Sequence, residues 1–225
     1  MSTFSPAFAL DLQVKIERSG IVAVLVVDSA QDAVPLARAL LAGGIGVMEL
    51  TLRTPAALDA LKIIRAEVPE MLAGVGTILT TAQVDATVKA GAAFGVAPGF
   101  NPKIVSAARS AGLPFAPGIM TPSDIEGALE LDCRLLKFFP AETTGGIKHL
   151  SAMAAPYAHL GVKYMPLGGI NIKNVASYFE SPLVAGIGGS WIAERKLIQQ
   201  HDWETIRKNA EEAIAVRATA TKTKA

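Results

Sequence analysis

Cysteine is almost missing. Cys133 is the single one in 225 residues, which excludes an internal disulfide framework and any cysteine-rich metal site. Histidine is scarce as well. His149, His159 and His201 fall in segments that read as helix or loop, away from strand ends, and each reads as a surface residue. A metal-dependent mechanism is therefore disfavoured, and no metal or cofactor is expected. Neither charge sign dominates: 21 Lys+Arg against 20 Asp+Glu leaves a formal +1. That balance offers no polycationic surface for nucleic acid and no basic block for an anionic membrane. No apolar run approaches the roughly 18 residues of a membrane span. Asp11, Lys15, Glu17 and Arg18 interrupt the beginning, so no apolar signal region is expected there. P-loop and dinucleotide-binding fingerprints are missing too. What is abundant is apolar residues, 51% of the chain against 18% charged, which excludes global disorder. The expectation is a cytoplasmic globular protein.

Short apolar runs rich in β-branched residues alternate with longer amphipathic segments. The runs are 21–27, 47–52, 72–75, 94–97, 114–116, 134–138, 163–167 and 183–187, eight candidate strands. Between them apolar residues recur at helical spacing, as in Ala33, Leu36, Ala37, Leu40 and Leu41, and in Ala57, Leu58, Leu61 and Ile64. Ser29, Thr54 and Thr121 stand where helices should begin, the last two before a proline. Gly43-Gly44, Gly91 and Gly112 stand where helices should end. Residues 6–18 read as a helix over the bottom of the sheet and 202–217 as a final amphipathic helix. Residues 218–225 read as a frayed, disordered tail. Alternating strands and helices mean a helix-covered parallel sheet, either open and doubly wound or closed as a (β/α)₈ barrel. The count of eight favours the barrel. So do the polar residues Glu49, Arg53, Thr77 and Lys137 and the Gly168-Gly169 pair, all at C-terminal strand ends, where a barrel keeps its active site. No linker divides the chain, so residues 1–225 are read as one domain.

The second strand is the most informative. Alternation puts Val47, Glu49, Thr51 and Arg53 on one face and Met48, Leu50 and Leu52 on the other. The apolar face must meet the helices, so Glu49 points to the barrel axis. A carboxylate there has to be paired, hydrogen-bonded or used. It is either half of a structural Glu49–Arg53 ion pair or a working group. In the sixth strand Lys137 interrupts an apolar run and shares a face with Cys133, Leu135 and Phe139. It is either a structural cation or an amine nucleophile, since desolvation favours the free amine. Strands two and six lie opposite each other in an eight-stranded barrel, so the two side chains can meet. An amine beside a proton-shuttling carboxylate is what Schiff-base chemistry requires. Thr77, after Gly74-Val75-Gly76, is a substrate-facing donor or a turn hydroxyl. Arg53 presents a planar fork suited to a carboxylate. Gly168-Gly169 and Gly188-Gly189-Ser190 end strands seven and eight, where backbone N–H groups and a following helix N-terminus can hold phosphate.

Four segments together resemble the class I 2-keto-3-deoxy-6-phosphogluconate (KDPG) aldolases, which often also cleave 4-hydroxy-2-oxoglutarate (KHG). They are Glu49-Leu50-Thr51-Leu52-Arg53-Thr54, Gly74-Val75-Gly76-Thr77, Lys137-Phe138-Phe139-Pro140-Ala141-Glu142 and Gly188-Gly189-Ser190-Trp191. The resemblance implies a (β/α)₈ barrel, a homotrimer, and metal-free reversible cleavage of a phosphorylated keto acid into pyruvate and glyceraldehyde 3-phosphate. It implies that Lys137 forms the Schiff base and that Glu49 is the general acid/base. By the same resemblance Arg53 and Thr77 hold the pyruvate end, Pro98 and Phe139 line the site, and Gly168, Gly169, Gly189 and Ser190 hold the phosphate. One departure stands out. Members acting on the gluconate substrate commonly carry Pro-Thr-Gly-Gly where this chain has Pro166-Leu167-Gly168-Gly169. Those cleaving the galactonate epimer carry an apolar residue there, so the C4 preference is open. Two other readings compete. A phosphosugar isomerase or epimerase needs the phosphate loops but no buried lysine, and a phosphometabolite-binding barrel needs neither Lys137 nor Glu49.

Overall fold

The structure, a computed structural model, describes residues 10–222; residues 1–9 and 223–225 lie outside the described part. Nine short parallel strands, all but β5 and β6 separated by helical segments, run along the described chain. They are β1 (Ile21–Leu25), β2 (Val47–Thr51), β3 (Leu72–Gly76), β4 (Gly95–Val96), β5 (Phe115–Ala116), β6 (Gly118–Ile119), β7 (Leu135–Phe138), β8 (Lys163–Pro166) and β9 (Ile187–Gly189). The hydrogen-bonded order is β5-β4-β3-β2-β1-β9 in one ladder and β6-β7-β8 in the other. Pro117 alone separates β5 from β6. Isolated parallel bridges join Tyr164 to Val184 and Leu167 to Gly188, so β8 runs beside the segment entering β9. The sheet therefore curls and has an inside and an outside.

Each face has its own core. Val22, Val47, Phe94, Val96, Ala116, Leu135, Met165 and Ala185 pack together on the inside, with Leu12 and Ile16 of α1 (Leu10–Ser19) among them. Ala23, Leu25, Met48, Leu50, Leu136 and Phe138 join the outer core, against residues such as Leu36 and Leu40 of α2 (Ala33–Ala42) and Leu61 and Ile64 of α3 (Ala57–Glu67). Strand alternation thus reads directly as inside and outside. Cys133, just before β7, leaves that alternation and packs in the outer core. Its burial pushes the thiol up to about 12, with Asp132 adding to the effect.

Local chemistry sets the helix limits. Thr121 and Asp124 form a capping box at the start of α6 (Pro122–Glu130), with Pro122 in the first turn, as read from the sequence. Thr80 and Gln83 do the same for α4 (Thr81–Lys89). Ser29 caps a one-turn 3₁₀ segment that leads into α2. Thr54 does not cap α3: its hydroxyl donates to the Val27 carbonyl and ties the loop after β2 to the one after β1. The glycine stops hold, with Gly44, Gly91 and Gly112 all at positive φ. The remaining helices are α5 (Pro102–Ser110), α7 (Gly146–Ala154), α8 (Val175–Phe179), α9 (Arg195–Gln199) and α10 (Trp203–Lys222).

Four further features depart from the sequence expectation. The fifth strand is two pieces, β5 and β6, because Pro117 lacks the N–H a continuous ladder needs. The last strand is not 183–187 but Ile187–Gly189, and Val184 contributes only an isolated bridge. Its glycines pair through backbone alone, in register with Val22 and Ala23. Residues 218–222 are not frayed: α10 continues through them and Ala220 is buried. Finally, no helix begins at the two glycine loops. α8 and α9 are five residues each and start at Val175 and Arg195. Of the expected first helix, residues 6–9 lie outside the described part. Among the described residues, no helix is long and apolar enough to cross a membrane.

A bidentate ion pair joins the loop after β1 to α9. Arg195 donates through Nε to Asp28 Oδ2 at 2.9 Å and through Nη2 to Oδ1 at 2.6 Å, and Gln199 Nε2 adds 2.8 Å. These donors, Arg195 foremost, hold the Asp28 carboxyl at about 2, below its ordinary 3.8. A depressed carboxyl stabilises the fold above its unfolded value, and that contribution is lost as pH falls from 3.8 to about 2. Asp28→Asn should therefore be less stable than wild type at neutral pH, with the difference shrinking across that acid window. Urea unfolding of both proteins from pH 6 to pH 2 checks this, and a pH-independent difference would refute it.

Candidate active site

Glu49 and Lys137 sit mid-strand on the inside face, in register with Gly74 and Gly118 respectively. The two strands belong to different ladders, yet the side chains meet across the curl. Lys137 Nζ donates to Glu49 Oε1 at 3.1 Å and to Oε2 at 3.3 Å. Both are buried, with 4% and 1% of their surface exposed. The carboxylate thus pairs with Lys137, while Arg53 is exposed in the loop after β2. The structural Glu49–Arg53 pair is excluded.

Glycines clear the space for this contact. A Cβ on Gly76 would collide with Glu49 Oε1, and one on Gly118 would strike the Pro98 carbonyl. Alternate glycines in a strand are the sequence signal for such close approach, and Gly74-Val75-Gly76 carried it without its partner being evident. The Phe139 ring lies beside the amine, its centroid 5.8 Å from Lys137 Nζ. Pro98 and Phe139 are both half-buried. Thr77 closes β3 at φ 62, a left-handed conformation that a β-branched residue adopts only under constraint. It does not cap a helix, since Thr80 fills that role.

The two glycine loops flank Leu167. Its backbone N–H donates to Phe138 C=O at 2.9 Å, and its side chain fills the place a Cβ on Gly188 would occupy. Gly168 and Gly169 have φ values of 104° and 78°, open to glycine but not to most residues. Gly189 is buried within β9, and Ser190 is exposed just beyond it. Two of the histidines have other partners: His149 stacks on Phe138, and His201 contacts Asp32 at 3.0 Å; His159 is exposed. Chemically, a buried amine within hydrogen-bond reach of one carboxylate can attack a carbonyl while the carboxylate moves the protons.

Comparison with known proteins agrees in class. The 2-dehydro-3-deoxy-phosphogluconate aldolase of Haemophilus influenzae is 42% identical over 202 residues, covering 90% of this chain and 94% of that protein. The KDPG aldolase of Legionella pneumophila, solved with pyruvate captured as a covalent carbinolamine intermediate, superposes with a TM-score of 0.84. It is 38% identical and covers 89% of this chain and 97% of that one. The Zymomonas mobilis enzyme, solved with 3-phosphoglycerate, gives 0.82 at 36% identity, covering 91% and 96%. The pattern of the KDPG and KHG aldolases matches residues 12–209, and the chain belongs to that family.

Proposed function

We propose that this protein is a class I aldolase. It reversibly cleaves 2-keto-3-deoxy-6-phosphogluconate to pyruvate and glyceraldehyde 3-phosphate, and 4-hydroxy-2-oxoglutarate to pyruvate and glyoxylate. The observation that carries this reading is the buried contact between Lys137 Nζ and Glu49. An isomerase or a binding protein has no need of a lysine there.

The chemistry follows from the pair. Glu49 takes a proton from the Lys137 ammonium, and the free amine attacks the C2 carbonyl of the keto acid. The carbinolamine loses water, with Glu49 returning the proton that the departing hydroxyl needs, and an iminium remains. The C4 hydroxyl gives its proton to Glu49, the C3–C4 bond breaks, and its electron pair flows into the iminium to form an enamine. The aldehyde leaves. Glu49 then protonates C3, and one water hydrolyses the new iminium to pyruvate and free Lys137. One water leaves and one enters, and no electrons are exchanged with any other group. Arg53 and Thr77 hold the carboxylate end, Pro98 and Phe139 line the site, and the N–H groups and hydroxyl of Gly168, Gly169, Gly189 and Ser190 hold the phosphate.

The same reading takes residues 1–225 as one domain and the two ladders as arcs of one closed (β/α)₈ barrel with α1 beneath it. The one-residue join at Pro117 and the bridges from β8 support closure. It also makes the protein a cytoplasmic, metal-independent homotrimer of the Entner–Doudoroff route, as the family resemblance implies.

Pyruvate with borohydride tests the central claim. The reductant should trap the imine as a stable adduct on Lys137, located by peptide mapping. Lys137→Arg should abolish it, because a guanidinium stays protonated. Label only on other lysines would overturn the assignment.

Leu167 favours a broadened substrate. Its isobutyl group packs over Gly188, and it replaces a threonine hydroxyl that, in this reading, contacts the substrate near C4. Wild type should cleave the gluconate and galactonate epimers with similar efficiency. Leu167→Thr should shift the ratio of kcat/KM toward the gluconate epimer by roughly threefold to tenfold, the equivalent of one neutral hydrogen bond. Strong wild-type selectivity that the variant leaves unchanged would place discrimination elsewhere.

A further inference from the structure

Glu142 and Tyr178 have no role in the chemistry above, yet both touch the Gly168-Gly169 loop or its surroundings. Glu142 follows the Lys137 strand, on the turn after Pro140. Its backbone N–H donates to Gly168 C=O at 2.9 Å, beside Ala141 N–H to Leu167 C=O at 2.8 Å. Its side-chain Oε1 accepts from the hydroxyl of Tyr178, a buried residue of α8. The fit is close on every side. A Cβ on Gly169 would come within 2.7 Å of Glu142 Cβ, and one on Gly146 within 3.2 Å of the Tyr178 hydroxyl.

These bonds orient the loop. Gly169 C=O accepts from Asn171 Nδ2 and Asn174 Nδ2, both at 3.2 Å. The carbonyls of Gly168 and Gly169 are therefore both held by the protein. In a trans peptide the N–H points opposite to the C=O of the same plane. The carbonyls of Leu167 and Gly168 both face the turn at Ala141 and Glu142, so the N–H groups of Gly168 and Gly169 both point away from that turn. Successive N–H groups so aligned make a concavity suited to an anion.

We infer that the Glu142–Tyr178 hydrogen bond is a positioning device: it anchors the turn after Lys137 to α8 and so holds the Gly168-Gly169 N–H groups in place for the substrate's terminal phosphate. This rests on the aldolase reading above. The device joins the two ends of the substrate mechanically. The turn that follows the amine-bearing strand bonds both to α8, through Glu142 and Tyr178, and to the loop, through the Ala141 and Glu142 N–H groups. The Tyr178 hydroxyl stays protonated well beyond neutral pH, because burial and the Glu142 carboxylate both push its pKa up. It therefore remains a donor throughout the working range.

The test compares a phosphorylated with an unphosphorylated substrate. Tyr178→Phe removes the donor and keeps the ring. KM for 2-keto-3-deoxy-6-phosphogluconate should rise roughly threefold to tenfold, the loss of about one hydrogen bond's worth of alignment. Its kcat, the pyruvate–borohydride adduct on Lys137, and kcat/KM for 4-hydroxy-2-oxoglutarate should stay unchanged. Glu142→Gln, which keeps size and a weaker acceptor, should move KM in the same direction by less, and carries the test if Tyr178→Phe does not fold. Equal losses for both substrates would make the pair merely structural and overturn the inference. So would an unchanged KM for the phosphorylated substrate in both variants. Failure of the wild type to form the adduct at all would instead remove the aldolase reading, and this inference with it.

Discussion

Glu49→Gln should lower turnover by about 10²–10⁴-fold, the usual share of a positioned acid/base group. Glutamine keeps the volume that Gly76 accommodates and keeps an oxygen within reach of Lys137 Nζ, 3.1 Å away in the native pair. It removes every proton transfer in the cycle. Imine formation, bond cleavage and C3 protonation all slow together, because one carboxylate serves them in sequence. Water can still relay protons inefficiently, so Lys137 should still trap pyruvate under borohydride, at a reduced rate. Steady-state pyruvate release and the time course of labelling read the two effects separately. Near-normal turnover would return Glu49 to a purely structural partner.

The second large effect is on stability. Lys137→Met should destabilise the protein by about 3–5 kcal/mol, since it leaves a buried carboxylate without its counterion. Methionine nearly matches the lysine stem, so lost packing adds little. Lys137→Met with Glu49→Leu removes both charges and should recover most of that loss, because neither desolvation penalty remains. Both proteins should be inactive, which separates stability from chemistry. Urea unfolding of wild type, the two single variants and the double variant closes the cycle. Additive losses, with no recovery in the double variant, would mean that the contact seen between Nζ and the carboxylate contributes nothing to the fold. An ion pair retained at the expense of stability is expected where the charges are needed for the reaction.

The contact between Lys137 and Glu49 is legible in the amino-acid sequence. Alternation along 47–52 and 134–138 assigned Glu49 and Lys137 to the inner face, and the inner and outer cores divide along that alternation. Thr121, Gly91 and Gly112 marked their helix limits, since capping and left-handed stops depend only on a few neighbouring residues. Family resemblance added roles that no spacing could supply. Thr54 and Cys133 depart from the local pattern because that pattern admits alternatives. A hydroxyl before a proline can cap a helix or bind a neighbouring loop, and a residue just ahead of a strand need not follow its alternation.

By itself the sequence determined the alternation of strand and helix, the inner face for Glu49 and Lys137, and much of the local punctuation of the helices. These follow from periodicities of two and 3.6 residues and from side chains bonding to their own backbone. Tertiary structure alone decided the rest. It paired the glycines of β9, brought Glu142 to Tyr178 over 36 residues, and closed the opposed Lys137 and Glu49, 88 residues apart, to 3.1 Å. The physical reason is shared by all of these. Glycine strands pair through backbone that every residue carries, and close contacts such as Glu49 on Gly76 exist only once the sheet has curled. Neither leaves a periodic trace in the chain.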